Sequence, residues 1–238
     1  MGGNTTTAPR GEPAGSPHPV LFLGTSHIDP LCGERLSRAL ERHRPGIVLL
    51  EVSRLSILLR MTLGRVYDRA LRRSMGVLGI PENAEIRYIR ASLALPAEYL
   101  ATRDYCRRNG ARCVLIDMSL FSLARYPFSY RLVTRKNLKA VSRLNGDRFD
   151  GERRIASRIF VEGDDTARRA RIGGFRKDPL LMRREEMLCR RTARRVAAHA
   201  GEKVAYVGGW EHLIDDPQGT TLYSRLAVPR EREIVFLD

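Results

Sequence analysis

Four short, entirely apolar runs are the feature that most restricts how this chain can fold. The runs are residues 20–23, 47–50, 113–116 and 204–207. Each has the length of a buried strand rather than of a helix. Between the first two runs, Leu31, Leu36 and Leu40 are spaced as on one face of a helix. Strand, helix and strand in so short a stretch form a βαβ unit, which builds a parallel sheet. The sequence therefore predicts an α/β protein with a central mixed, largely parallel sheet flanked by helices.

The remaining elements are predicted with less uniform signals. Apolar spacing indicates a helix through residues 55–66, while residues 76–94 fit no single pattern. A helix over 96–109 ends at Gly110, a favourable residue for a helix C-terminus. The long stretch 119–177 is mostly helical in pattern. Further predictions are loops at 147–151 and 173–174, a helix that begins at Asp178-Pro179 and stops at Gly201, and a last strand at 234–237.

Length and composition favour one soluble domain. A chain of 238 residues with 43% hydrophobic residues suffices for a single core, which we place at residues 19–238. Residues 1–18 are rich in Gly, Pro and Thr, so we expect a disordered tail there. The sequence has neither a secretory signal pattern nor an apolar run long enough to span a membrane, which favours a cytoplasmic location. The four cysteines have no metal-finger spacing and are expected to be free thiols.

Positive charge is concentrated in one part of the chain. The net charge is +15, and residues 125–195 contribute 21 basic and 9 acidic side chains to it. Such a region suits an anionic partner, an acidic substrate or nucleic acid, and it is equally compatible with a solvated arginine-rich face. The region contains no helix-turn-helix, zinc or RNP-type motif, so nucleic-acid binding is kept only as a further alternative.

Polar residues follow each of the four apolar runs. The first and last runs are followed by Gly24-Thr25-Ser26-His27 and Gly209-Trp210-Glu211-His212, while Glu51 and Asp117 follow the other two. In open α/β sheets, ligands bind beyond the carboxyl ends of the strands. Two imidazoles and a carboxylate suit a catalytic divalent ion, so His27, Glu51, His212 and Asp117 are candidate metal ligands.

The same residues have other possible roles. Glu51 closes a buried strand, where desolvation raises a carboxyl pKa unless the group is paired, so it is a candidate ligand or general base, or else a salt-bridge partner of an arginine. Asp117 suits an N-cap equally well. Glu185 shares the apolar face of its predicted helix and requires a partner, and Arg184 is placed to orient it or to bind a substrate carboxylate.

Several segments resemble the TraB family. Residues 21–52, LFLGTSHIDPLCGERLSRALERHRPGIVLLEV, are similar to its opening strand, Gly-Thr-x-His, helix and Glu-ending strand. GARCVLID, RREEML and VAYVGGWEHL resemble later family segments, in the family's order. The resemblance implies the fold of the erythromycin esterase and ChaN proteins and, as in the related Tiki branch, metal-dependent hydrolysis of a peptide or small acyl substrate with manganese or cobalt, or zinc. It implies that His27, Glu51 and His212 hold the ion. From their position on the predicted helix, Arg184 and Glu185 are further candidates for a catalytic role.

The chain also departs from the family pattern. Ser53 stands where the family has Asp, Met118 follows Asp117 where Arg is usual, and Ile214-Asp215 replaces a small residue and Gly. These departures favour an alternative in which the same pocket binds a peptide or small ligand without catalysis, as in a regulatory protein of the TraB and PrgY type.

Overall fold

A computed structural model describes residues 18–119, 126–144 and 147–237. Its sheet contains five strands: β1 (Val20–Thr25), β2 (Ile47–Leu50), β3 (Arg112–Leu115), β4 (Val204–Gly209) and β5 (Arg230–Ile234). The strand order is β3-β2-β4-β1-β5. All four pairings are parallel. The α/β class is therefore confirmed, and no antiparallel pairing occurs in the described part of the sheet.

Nine α-helices lie within the described ranges. They are α1 (Cys32–His43), α2 (Arg54–Leu78), α3 (Ala84–Leu93), α4 (Ala97–Asn109), α5 (Arg135–Val141), α6 (Arg148–Phe160), α7 (Asp165–Arg176), α8 (Pro179–Ala198) and α9 (Leu222–Arg225). Short 3₁₀ helices span Tyr126–Val133 and Trp210–Leu213. The second of these directly follows β4 and contains His212.

Local sequence accounts for the helix ends closest to the site. Ser53 caps α2 by accepting a hydrogen bond from the Ser56 amide. Asp178 caps α8 by accepting from the amides of Leu180 and Leu181, with Pro179 in the first turn. Gly110 ends α4 in the left-handed conformation, which glycine adopts without strain.

The apolar core lies on both faces of the sheet. One face packs against α1 and α4 through Leu36, Leu40 and Tyr105. The other packs against helices from α6 to α9, with Phe149 and Leu188 among the buried residues. Residues that are apolar throughout a strand therefore have both sides covered, as expected for a parallel sheet between helices.

A third buried cluster lies apart from the sheet. It joins α2, α3 and α5 through Leu71, Ile86 and Leu138, and it contains no strand residue. Residues 76–94, which the sequence left undecided, contain the end of α2 and the whole of α3.

Three predicted segments were wrong. Residues 147–151 are the N-terminus of α6, because Asp147 caps that helix by accepting from the Phe149 amide. Residues 173–174 lie inside α7, where packing of Ile172 and Phe175 outweighs the low helix propensity of glycine. The last strand ends at Ile234 instead of beginning there, and the following Val235 and Phe236 fill the core on opposite sides of the sheet.

The predicted tail at 1–18 falls almost wholly outside the described residues. The single domain at 19–238 stays a prediction. The four cysteines are free, with Cys32 and Cys106 buried and Cys113 and Cys189 partly buried.

Candidate active site

The carboxyl ends of four adjacent strands bring the predicted site residues to one edge of the sheet. Asp117 follows β3 after one further residue, Glu51 follows β2 directly, His212 lies just after β4, and His27 lies two residues beyond β1. Because the strands are parallel and ordered β3-β2-β4-β1, these four residues follow the same order along that edge.

Glu51 is a buried carboxylate with both oxygens fully engaged. Its Oε1 accepts from Arg184 Nη2 at 2.5 Å and lies 2.9 Å from His212 Nε2. Its Oε2 accepts from the Tyr206 hydroxyl at 2.6 Å and the Gly209 amide at 3.0 Å. Burial alone would raise the pKa of Glu51, but the charges of His212 and Arg184 outweigh it and hold that pKa well below the usual range. Glu51 is therefore ionised and poorly suited to accept a proton.

His212 lies between two buried carboxylates. Its Nε2 faces Glu51, and its Nδ1 faces Oε1 of Glu185. Glu185 also accepts from the Leu222 amide through Oε2 at 2.7 Å. Burial disfavours the charged ring, yet Glu185 and Glu51 raise the pKa of His212 to about 10. This pKa favours the doubly protonated ring at neutral pH, with Nδ1–H directed at Glu185 and Nε2–H at Glu51. Arg184 Nη1 lies 3.4 Å from the same Nε2, and that contact is not a hydrogen bond when Nε2 carries a proton.

Arg184 connects the two strand-end acids. Its Nε and Nη2 donate to the two oxygens of Asp117 at 2.9 and 2.8 Å, a bidentate pair, and Nη2 also donates to Glu51. Burial opposes the charge of Arg184, but Glu51 and Asp117 raise its pKa further above the ordinary value. Asp117 additionally accepts from the Met118 amide. The guanidinium thus occupies the space between the carboxylates of β2 and β3.

His27 differs from this closed network because its ring is open to solvent. The side chain is 61% exposed, and Nδ1 lies 2.5 Å from Oε1 of Glu98, a carboxylate that is only 3% exposed. Glu98 raises the pKa of His27 above the ordinary value, against a smaller lowering by desolvation. The charge of Glu51 also raises this pKa, and the charge of Arg184 lowers it. In the described part of the chain, Nε2 of His27 has no hydrogen-bond partner.

Glu98 was missed by the sequence analysis. It lies in the first turn of α4, where an acid is usually explained by the helix dipole. Its position on the helix could have indicated a buried role, because Glu98 shares one face of α4 with the buried Ala101, Thr102 and Tyr105. Thr25 and the Cys32 thiol donate to the same carboxylate. Burial would raise the pKa of Glu98, but His27 lowers it to about 2.

The glycines of the two Gly-x-x-His segments are not needed for unusual backbone angles. Neither Gly24 nor Gly209 has positive φ. Gly24 is required for steric reasons instead, because a Cβ at this position would lie 2.7 Å from Ile234 Cδ1. At Gly208, which precedes the second segment, a Cβ would overlap Glu51 Oε2 and the Tyr206 hydroxyl. The absence of a side chain at Gly208 therefore lets β4 approach the Glu51 carboxylate.

The donor set does not fit a resident metal ion in this arrangement. A ligating imidazole must offer an unprotonated nitrogen, whereas both nitrogens of His212 face carboxylates. Both oxygens of Glu51 are occupied, and Arg184 lies where a cation shared by Glu51 and Asp117 would lie. Within the described ranges, no group of three or more His, Cys, Asp or Glu side chains is arranged to hold a metal.

Comparisons with known protein families, with curated proteins and with solved structures find no match for this chain. Membership of the TraB family therefore stays a prediction from the motifs. In the portion of the chain that the structure describes, no helix combines the length and the apolar character that a membrane span requires.

Proposed function

We propose that the chain is a hydrolase of ester or peptide bonds in which His27 activates a water molecule. The observation that carries the proposal is the pairing of an exposed imidazole with a buried carboxylate, His27 with Glu98. A carboxylate at Nδ1 fixes the tautomer and orientation of the ring and increases the basicity of Nε2. The position of His27, beyond the carboxyl end of a central strand, is where α/β enzymes bind their ligands.

The reaction balances with groups that this chain supplies. Neutral His27 takes a proton from water at Nε2 while the water oxygen bonds to the carbonyl carbon and the carbonyl electrons move to oxygen. The bond to the leaving group then breaks, and the imidazolium returns the proton to the departing oxygen or nitrogen. Arg184, whose charge lowers the pKa of the His27 ring, acts on the developing oxyanion through its charge rather than through a hydrogen bond, because Glu51 and Asp117 hold its guanidinium.

The buried acids have supporting roles in this proposal. Glu51, Asp117 and Glu185 hold Arg184 and His212 in their charged forms and fix them relative to the sheet. Glu51 is not the base, because its pKa is depressed and its oxygens are occupied. Peptide is preferred over ester as substrate only through the TraB resemblance.

A metal-dependent form of this hydrolase, with manganese, cobalt or zinc at His27, Glu51, His212 and Asp117, stays a prediction. It would require Arg184 to leave the carboxylates and His212 to lose a proton. The arrangement described above favours the metal-independent form.

The test measures hydrolysis of a chromogenic acyl ester and of fluorogenic peptides by protein treated with a chelator, its metal content determined by mass spectrometry. His27→Gln is expected to lower turnover by about 10²- to 10⁴-fold, the usual contribution of a general base. His43→Gln is the matched control, because His43 is also paired with a glutamate, Glu233, at 2.7 Å.

Three outcomes are informative. Chelator-resistant turnover that depends on His27 but not on His43 supports the proposal. Turnover that disappears with the chelator and returns with manganese or cobalt replaces it by the metal-dependent form. Absence of turnover, or equal turnover by wild type and His27→Gln, contradicts the proposal and favours a ligand-binding module.

A further inference from the structure

One face of α8 forms a small cavity that is open to solvent and lined mainly by arginines. The cavity has a volume of about 290 Å³ and is lined by Met187, Arg190, Arg191 and Arg194. These positions are separated by three, one and three residues, so they lie on one helical face. At about 30 Å³ per water molecule, the volume corresponds to roughly ten waters, which is enough space for the anionic group of a small organic molecule.

The arginines of this cavity have no ion-pair partner among the described residues. No carboxylate of the described residues pairs with Arg190, Arg191 or Arg194, whereas Arg158 and Arg176 on the neighbouring helices pair with Asp164 and Asp216. Three guanidinium groups with no lysine favour an oxyanion that accepts hydrogen bonds in pairs, above all a phosphate. Met187 supplies an apolar surface for the organic group that carries the phosphate.

Arg191 connects the cavity to the strand-end crevice. Its Nη1 donates to the carbonyl oxygens of Ile116 and Asp117, each at 2.9 Å. Asp117 is also the bidentate partner of Arg184, which precedes Arg191 by two helical turns, about 10 Å along α8. The cavity therefore adjoins the same edge of the sheet as the candidate active site.

We propose that this cavity binds the phosphate group of a small phosphorylated molecule. Arg190 and Arg194 contact the phosphate oxygens, while Arg191 keeps the helix face fixed against the end of β3. The binding site does not depend on the hydrolase proposal. Use of the phosphate to orient a substrate towards His27 does rest on that proposal, so the test measures binding and not turnover.

The test titrates phenyl phosphate and inorganic phosphate into the full chain by calorimetry, with benzoate as a monoanionic control. The double variant Arg190→Gln/Arg194→Gln is expected to weaken binding of phenyl phosphate at least about tenfold, because it removes two guanidinium groups that donate charge-assisted hydrogen bonds. Arg153→Gln/Arg154→Gln is the matched control. It removes the same charge from a second cavity, on α6. Circular dichroism and thermal unfolding verify the fold of both variants.

Retained affinity in the control, together with weak binding of benzoate to wild type, supports a specific phosphate site. Equal weakening in both double variants would show a general charge effect and overturn the proposal. The proposal would also be overturned if a single-stranded oligonucleotide bound more tightly than phenyl phosphate and lost affinity equally in both double variants. That result would indicate a nucleic-acid-binding surface. Phenyl phosphate that fails to bind wild type also overturns it.

Discussion

The two Gly-x-x-His segments look alike in sequence but place their histidines in opposite environments. His27 has a 61% exposed side chain and one carboxylate partner. His212 has a 7% exposed side chain and a carboxylate at each ring nitrogen. The first ring has a nitrogen with no hydrogen-bond partner among the described residues, and Glu98 raises its pKa above the ordinary value. The second ring has a pKa of about 10 and is held charged. A shared motif therefore fixes where a histidine lies on the sheet, and its neighbours decide whether it can react.

This difference also explains the distribution of acids around the site. Glu51 and Glu185 lie on both sides of His212, and together with Arg184 and Asp117 they form a buried network whose charges are mutually paired. Buried charges of this kind are retained only when each has a partner, because desolvation of an unpaired ion costs several kcal/mol. The network supports the sheet edge, and His27 remains outside it.

The largest expected effect is on stability at the His212 side. Glu185→Leu removes one partner of the buried imidazolium and leaves the Leu222 amide without its acceptor. We expect a loss of about 3–5 kcal/mol in the free energy of unfolding, the usual result of breaking a buried pair. Urea denaturation measures this, with Glu186→Gln as control, an exposed acid one residue further along α8. A loss below about 1 kcal/mol, the range of surface pairs, would show that His212 is not held as described.

The next effect is a loss of stability at high pH. The pKa of His212 is about 10 in the folded protein, against an ordinary value of 6.5. Because the folded pKa is raised, the stabilisation is complete below about pH 6.5 and is lost as pH rises through about 10. The unfolding free energy of wild type should therefore fall more steeply over this range than that of His212→Gln. Parallel pH profiles of the two proteins would contradict the assignment.

A smaller effect is expected where β4 approaches Glu51. Gly208→Ala places a methyl group against Glu51 Oε2 and the Tyr206 hydroxyl. We expect a loss of about 1–3 kcal/mol from overpacking, with displacement of the carboxylate from Tyr206. Gly173→Ala, in the middle of α7 with open space around it, is the control and should stabilise the protein slightly. Destabilisation of the control by as much as Gly208→Ala would refute the steric explanation.

The smallest change is expected on the His27 side. Glu98→Gln preserves the shape of the side chain but removes the charge that raises the pKa of His27. If His27 is the base, the rising limb of the pH–rate profile should move to lower pH in this variant, and turnover at high pH should fall because the ring is less basic. Glu233→Gln, beside the control histidine His43, should leave the profile unchanged. If the rising limb does not move in Glu98→Gln, it does not report the ionisation of His27, and His27 is not the base.

Much of the fold was predictable because the central strands are apolar on both faces. A short apolar run such as 47–50 is typical of a strand in a sheet that helices cover on both faces. Asp178-Pro179 predicts a helix start from local sequence alone, because Asp caps a helix and Pro suits its first turn. β5 was misplaced because an edge strand tolerates charges: Arg230–Ile234 carries four charges of alternating sign, on exposed and half-buried positions. The apolar residues that follow it pack into the core from a turn, which no local pattern distinguishes from a strand.

The strand-end positions of the site were predictable, whereas its pairings were not. Parallel topology requires the residues that follow β1, β2 and β4 to lie at the same end of the sheet. Which acid meets which histidine depends on contacts across the whole chain, such as His27 with Glu98. The sequence alone assigned the proton-accepting role to Glu51, whose four contacts in the structure favour a charged, supporting one.

The most direct measurement is a pH titration of the histidine rings by NMR, with signals assigned from His27→Gln and His212→Gln. We predict that the His212 ring stays doubly protonated from neutral pH until it titrates at about 10, while the exposed His27 titrates above 6.5 and moves towards 6.5 in Glu98→Gln. A His212 ring that is neutral at pH 7, or a His27 ring whose pKa is unchanged in Glu98→Gln, would contradict the division between a charged, buried histidine and an exposed histidine that titrates under the influence of Glu98.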